Sequence, residues 1–306
     1  MGRTVLATSI GLLVAVLSAP CDGNRSRRVF PHYLPWYTGS GDGWTYTDTS
    51  TGQQVQQCVS SPLIGEYSQL NSSVLEYHLL TSLVSGFDGF IVNWDPRSDQ
   101  QTSIISNLFS KAETLPQVFD LDGTGSSTVS PRLIISYDYQ GSNHSLANIA
   151  SHFESIRNSW VVSPVYFHDD AAQSSAPVIV LWNSEATAVY SQAARSVFNN
   201  NVTLLTINAD FSNFNLSTGA FEWVMPQDEA TYNPSLWAES YLNDFDWRMA
   251  HQKDYGGVPA SDVQTLMMGA VYPGFNDSKV PVSWNGGNTR LVLTVDLLCC
   301  NSCTRD

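Results

Sequence analysis

Carboxylates at the ends of apolar, strand-like runs are the residues of this sequence best suited to chemistry. Six of them stand within or shortly after such a run: Asp95, Asp138, Glu185, Asp210, Glu222 and Asp277. The catalytic candidates among them are Asp95, Asp138, Glu222 and Asp277. If the runs are parallel strands of a barrel, side chains at their carboxyl ends meet at one rim. Two carboxyl groups at a rim can hydrolyse a glycosidic bond, one protonating the leaving oxygen and the other acting as base or nucleophile. Each acid could equally cap a helix or close a turn, and the sequence leaves that alternative open.

Aromatic and polar side chains accompany these acids near the same predicted strand ends. Flat aromatic faces stack on the C–H faces of sugar rings, while amides hydrogen-bond the hydroxyl groups. We therefore predict a set of substrate-binding residues: His32, Trp36, Tyr37, Asn93, Trp94, Tyr139, Trp182 and Trp223. The alternative for each aromatic residue is a place in the hydrophobic core, and for His32 a structural role.

The charge balance and the motifs absent from the sequence exclude several classes of protein. The 306 residues include 28 Asp and Glu against 14 Lys and Arg, a formal net charge of -14 that would repel a phosphate backbone. We expect no nucleic-acid partner. The sequence has no zincin helix, no P-loop and no α/β-hydrolase elbow. Three of the five cysteines crowd the last eight residues without a fourth ligand at metal-binding spacing, so we predict neither a metal nor a cofactor.

The elements that must position these residues alternate along the chain. Seven apolar runs predict strands at residues 29–36, 89–94, 132–139, 178–182, 204–209, 221–224 and 265–272. Helical spacing predicts helices at residues 73–84, 102–114, 148–158 and 185–198. This order predicts an α/β fold, a (β/α)8 TIM-type barrel.

A doubly wound sheet would give a similar pattern, but residues 37–43 lead into no helix and are interpreted as a flexible rim loop. An eighth strand at residues 291–298 leaves no room for a closing helix, so the last strand and helix are expected to be incomplete.

Residues 1–23 predict an export signal, with Arg3 before an apolar region and small residues at its end. The apolar region is short for a membrane span, although a retained signal anchor is the alternative. Six N-x-S/T sequons are typical of an exported protein: Asn24, Asn71, Asn143, Asn201, Asn215 and Asn276. We predict a secreted, extracellular monomer without stable membrane insertion. Residues 24–306 are expected to form a single domain, with 291–306 as an atypical tail.

Six sequence blocks, which follow one another along the chain, carry a family resemblance. They are VFPHYLPWY (29–37), PLIGEYS (62–68), VLEYH (74–78), SGFDGFIVNW (85–94), GAFEWV (219–224) and YPGFND (272–277). Together they resemble the glycoside hydrolase family 71/99-like proteins, which group with endo-α-1,3-glucanases and endo-α-mannosidases. The resemblance spans residues 29–290, and its first four blocks are the most specific. It implies a secreted barrel that hydrolyses α-linked glycans with two carboxylates and no metal.

Two departures from that family's pattern bear on function. Asn93 stands where such proteins commonly carry an acid, with Asp95 two residues further on. The family usually has an acid-rich block near its C-terminus that supplies catalytic candidates, whereas this chain reads LVLTVDLLCC at residues 291–300. We expect a truncated or mis-spliced ending. The leading hypothesis is a hydrolase of α-linked polysaccharide, either α-glucan or α-mannan. The alternative is a catalytically impaired carbohydrate-binding barrel.

Overall fold

The main sheet of the protein consists of parallel strands in chain order. The computed structural model describes residues 28–39, 44–47, 53–56, 62, 64–118, 130–169, 175–182, 187–207, 219–221, 247, 266–268, 275–276 and 291–292. Their strands are β1 (His32–Tyr33), β2 (Thr45–Thr47), β3 (Gln54–Gln56), β4 (Gly89–Trp94), β5 (Arg132–Tyr137), β6 (His168–Asp169), β7 (Ala176–Leu181), β8 (Thr203–Ile207), β9 (Gly219–Phe221), β10 (Leu266–Met268), β11 (Phe275–Asn276) and β12 (Leu291–Val292). The order in the main sheet is β1-β4-β5-β7-β8-β9-β10, with β6 antiparallel to β7.

This strand order distinguishes the two folds that the sequence left open. Each predicted strand from residue 29 to residue 272 overlaps one strand of the main sheet, and these strands pair in parallel with their neighbours. A doubly wound sheet reverses its order at a switch point, and no reversal occurs among the described strands. The protein is therefore an α/β protein with a parallel half-barrel sheet.

The predicted eighth strand differs from the prediction. Its described part, Leu291–Val292, pairs antiparallel with Phe275–Asn276 and lies outside the main sheet. The backbone groups of this strand thus pair with residues 275–276, whereas the prediction placed the strand in the barrel sheet. A second two-stranded sheet, β2 paired antiparallel with β3, follows the rim loop after β1.

Four described α-helices cover one side of the sheet. They are α1 (Ser72–Val84), α2 (Asp99–Val118), α3 (Leu146–Ile156) and α4 (Thr187–Val197), and each overlaps a predicted helix. A π-helical turn, Arg157–Val161, extends α3. Asn71 caps α1 by accepting a hydrogen bond from the Ser73 N–H, and Ser145 caps α3 in the same way. Within the described ranges, no helix is both long and apolar enough to cross a membrane.

Alternating residues of the strands build two separate hydrophobic clusters. The helix-side cluster takes Phe90, Val92 and Trp94 from β4 and packs them against the apolar faces of the helices. The inner cluster takes the intervening Ile91, and it continues across the sheet through Ile134, Val178, Val180, Leu205 and Phe221. Since successive side chains of a strand point to opposite faces, residues with the parity of Ile91 face the interior of the half-barrel.

Candidate active site

The inner face of the half-barrel becomes polar at the carboxyl ends of its first strands. Asn93 shares the parity of Ile91 on β4, and Asp138 follows β5 with the parity of Ile134. The Asn93 Nδ2 donates a 2.9 Å hydrogen bond to Asp138 Oδ2. Both side chains are buried, with 3% of Asn93 and 9% of Asp138 exposed. A carboxyl group and an amide from adjacent strands therefore meet at the carboxyl ends of the parallel strands, the edge at which TIM-barrel enzymes carry their active sites.

The surroundings of Asp138 favour its protonated form. Burial raises the pKa of this carboxyl group above its ordinary value, and the negative charge of Asp95 acts in the same direction. The pKa is lowered in part by hydrogen bonds from Asn93 and Gln140, and by the positive charge of Arg97. The Gln140 Nε2 donates to the Oδ1 oxygen, so each carboxyl oxygen has an amide partner. A buried carboxyl group with a raised pKa is suited to donate a proton.

Asp95 lies at the end of β4 but is bound in an ion pair. Its carboxylate oxygens accept hydrogen bonds from the Arg97 guanidinium, the shortest at 2.6 Å. Its backbone N–H donates to Gln101 Oε1 at 2.8 Å, which fixes the turn before α2. The predicted second carboxyl group is thus near enough to influence Asp138 electrostatically, while Arg97 occupies its oxygens.

His32 and Trp182 meet across the concave side of the sheet. Their ring centroids lie 5.1 Å apart, although β4 and β5 separate β1 from β7. Three strand spacings in a flat sheet would span about 14 Å, so the contact follows from the curvature of the half-barrel. Burial lowers the pKa of His32 to about 4, and the Asn93 side chain opposes this shift in part. His32, Asn93, Asp138 and Trp182 thus form one group, which we call the inner site.

Two of the predicted sugar-binding aromatic residues lie on the other face of the sheet. Trp94 is 4% exposed and packs edge-to-face on Trp160, with ring centroids 4.9 Å apart. Tyr139 is buried beside His152 of α3, with centroids 5.0 Å apart. Both belong to the helix-side cluster, which corrects their predicted position at the rim of the inner site. Each follows Asn93 or Asp138 by one residue. Because side chains alternate between the two faces along a strand, theirs lie on the helix side of the sheet.

Trp36 and Tyr37 lie beyond β1. Trp36 is among the exposed large hydrophobic residues, whereas the Tyr37 ring packs on Trp44 at a centroid distance of 4.3 Å. The Tyr37 N–H donates to Gln69 Oε1 at 2.8 Å. The described part of the predicted flexible loop is therefore held by hydrogen bonds at its beginning.

The remaining predicted residues, Glu222, Trp223 and Asp277, lie outside the described residues. No group of three or more His, Cys, Asp or Glu side chains is placed to hold a metal ion within the part of the chain that the structure describes. Sequence reasoning missed Gln140 and Arg97, which contact the two acids. Their position two residues after each acid was the available signal, because a residue at that spacing can fold back onto the acid in a turn.

Comparisons with known proteins define the class of fold. No protein-family model matches the sequence, and no curated protein matches it. The structure of the GH99 endo-α-mannosidase from Bacteroides thetaiotaomicron matches with a TM-score of 0.59 and 14% identity, over 86% of this chain and 76% of that chain. A second structure of that enzyme, in complex with BIS-TRIS-propane, matches with a TM-score of 0.56 and 16% identity, over 86% and 74%. A glycoside hydrolase-like protein matches with a TM-score of 0.57 and 10% identity, over 92% and 80%. At such identities the similarity concerns the fold, which is glycoside hydrolase-like.

Proposed function

We propose that this protein is a secreted glycosidase that hydrolyses α-linked glycans, either α-glucan or α-mannan, on a (β/α)8-type barrel. The observation that carries the proposal is the buried Asp138, held by Asn93 at the carboxyl end of β5. The solved structures of similar fold support the class of reaction, since two of them are described as an endo-α-mannosidase. Export is the compartment that the N-terminal segment and the sequons predict.

In this mechanism Asp138 is the general acid. Its raised pKa keeps a proton available, which it donates to the glycosidic oxygen as the bond to the anomeric carbon breaks. Asn93 and Gln140 fix the orientation of the carboxyl group, so the proton points to one place in the site. Trp182 borders the same interior, where its flat ring offers a stacking surface for a sugar.

The second carboxylate acts as base or nucleophile. Asp95 is the nearer candidate, and it serves only if Arg97 moves away from its oxygens when the glycan binds. Glu222 and Asp277 are the other two candidates from the sequence. The stereochemical outcome follows from the separation of the pair, since retaining enzymes hold the two carboxyl groups about 5 Å apart and inverting enzymes hold them further apart.

The test of the proposal is the release of reducing ends from α-1,3-glucan and from α-mannan by the purified protein. Heat-inactivated protein and a β-linked glucan serve as controls. Turnover on one of the α-linked polymers supports the proposal. Binding of either polymer without turnover would contradict it and would favour the carbohydrate-binding barrel as the function.

A further inference from the structure

A buried glutamine fastens the segment that follows β1. Gln69 is 1% exposed, and its Nε2 donates to the Leu34 carbonyl oxygen at 3.0 Å. Its Oε1 accepts the Tyr37 N–H, and its own backbone N–H donates to the Tyr37 carbonyl oxygen at 2.6 Å. All three hydrogen bonds reach one stretch of four residues, 34–37, which we call the rim segment. A buried amide is stabilising only when its polar atoms are paired, and here both are.

Aromatic packing also holds the rim segment in place. The Trp44 ring packs on both Tyr37 and Tyr67, with centroid distances of 4.3 and 5.0 Å, and its Nε1 donates to the Tyr67 carbonyl oxygen. The Ser68 Oγ donates to the Thr38 carbonyl oxygen at 2.8 Å. These contacts restrain the backbone on both sides of Trp36.

Trp36 is the residue that this arrangement presents to solvent. Its neighbour Pro35 is buried, whereas 36% of Trp36 is exposed. The segment continues from β1, and β1 carries His32 of the inner site. Trp36 therefore lies at the same edge of the sheet as the proposed reaction, the edge formed by the carboxyl ends of the strands. The contacts described above already order its backbone. An ordered platform loses little conformational entropy when a ligand binds.

We propose that Gln69 is a positioning residue for a second glycan-binding subsite, in which Trp36 stacks on a sugar ring away from the bond that is cleaved. This inference rests on the proposed function for its ligand class. Gln69 touches no sugar in this scheme, and it acts by holding the rim segment that carries Trp36. Because the subsite is remote from the reacting bond, it contributes to binding of longer glycans and little to the chemical step.

The experiment compares Gln69→Leu, Trp36→Ala and the double variant with the unaltered protein. The probes are α-1,3-linked gluco-oligosaccharides and α-linked manno-oligosaccharides of increasing length. We expect each single substitution to raise KM for the longer oligosaccharides about 10-fold, with kcat within about 2-fold and KM for the shortest one unchanged. The double variant should be no weaker than either single variant, since both remove the same subsite.

A matched control separates positioning from stability. Ile149 is buried on α3 in the helix-side cluster, so Ile149→Ala lowers Tm without touching the rim segment. We expect it to leave the length dependence of KM intact. If Gln69→Leu lowers Tm but keeps the length dependence of the unaltered protein, or if its effect adds to that of Trp36→Ala, the proposal is wrong.

Binding measurements distinguish this proposal from the proposed function. Titration of the same oligosaccharides is followed by calorimetry, which needs no turnover. Binding that depends on both Gln69 and Trp36 without hydrolysis would uphold the subsite and contradict the glycosidase. Hydrolysis with binding that is indifferent to both residues would uphold the glycosidase and overturn the subsite. An absence of binding by the unaltered protein would overturn both.

Discussion

Asn93 on β4 donates a hydrogen bond to Asp138 at the end of β5, and the two side chains are buried together on the inner face of the half-barrel. The two strands pair in register up to this point, with Asn93 opposite Ser136 and Trp94 opposite Tyr137. The pairing of the two strands therefore fixes how the amide meets the carboxyl group. A hydrogen bond to the charged form stabilises the carboxylate, so Asn93 limits how far burial can raise the pKa of Asp138.

Replacement of Asn93 should change the pH dependence of activity. Asn93→Leu removes the donor and raises the pKa of Asp138 further, so the general acid keeps its proton to higher pH. We expect the alkaline limb of kcat/KM to move to higher pH, while kcat/KM at its maximum falls because the carboxyl group is less well oriented. The measurement is a pH profile of glycan hydrolysis.

Ser136→Ala is the control for that profile. Ser136 is the register neighbour of Asn93, and its Oγ has no hydrogen-bond partner among the described residues. We expect its pH profile to coincide with that of the unaltered protein. An alkaline limb that stays in place in Asn93→Leu would show that the amide does not influence the proton donor.

Trp94 and Trp182 should respond differently to truncation. Trp94→Ala leaves a cavity in the helix-side cluster and should lower the free energy of unfolding by about 3–5 kcal/mol. Trp182→Ala removes a ring from the inner site and should weaken glycan binding with a smaller loss of stability. Urea unfolding and calorimetric titration give the two quantities. Weaker binding in a stably folded Trp94 variant would return that residue to the sugar site.

Substitution of Gly89 by alanine should destabilise the protein strongly. Its φ is +154°, and a Cβ atom there would lie 1.6 Å from the Arg132 carbonyl oxygen on the paired strand. We expect Gly89→Ala to lower the free energy of unfolding by more than about 3 kcal/mol, because β4 and β5 must separate. Gly86→Ala is the matched control. Its φ is +79° with no atom within 4 Å of the added Cβ, so the cost should be the conformational strain of about 1–2 kcal/mol. Equal effects in urea unfolding would contradict this difference.

His32 should make the protein less stable in mild acid. Its pKa is about 4 in the folded protein against 6.5 for the ordinary group, so the unfolded chain binds the proton more readily between these values. The free energy of unfolding should therefore fall as pH decreases from about 6.5 to 4, with a contribution of up to about 1.4 kcal/mol per pH unit from this group. The measurement is urea unfolding at several pH values. We expect His32→Gln to make the dependence of the free energy of unfolding on pH less steep. His168→Gln, at a half-buried histidine on β6, is the control, and equal slopes in the unaltered protein and in His32→Gln would exclude His32 as the cause.

The parallel strands of the main sheet were predictable from the sequence, but the face of the sheet that each residue occupies was not. All six residues of β4 are buried, because one face packs on helices and the other on the interior of the half-barrel. Such a strand is a continuous apolar run without alternation, which locates the strand and hides its phase. Asn93 and Trp94 were therefore both predicted at the rim, and only the structure separates them. The contacts of Gln69 were equally hidden, since they join residues more than 30 positions apart.

The most direct test of the central claim compares Asp138→Asn with Asp88→Asn. Both replace a carboxylate by an amide of nearly equal size. Asp88, which binds Arg28, precedes β4 at the opposite end of the strand from the inner site. On the α-linked polymer that the unaltered protein cleaves, we predict that Asp138→Asn lowers kcat by about 10²–10⁴-fold with an unchanged circular dichroism spectrum, while Asp88→Asn retains full turnover. Comparable turnover by Asp138→Asn would contradict the assignment of Asp138 as the proton donor.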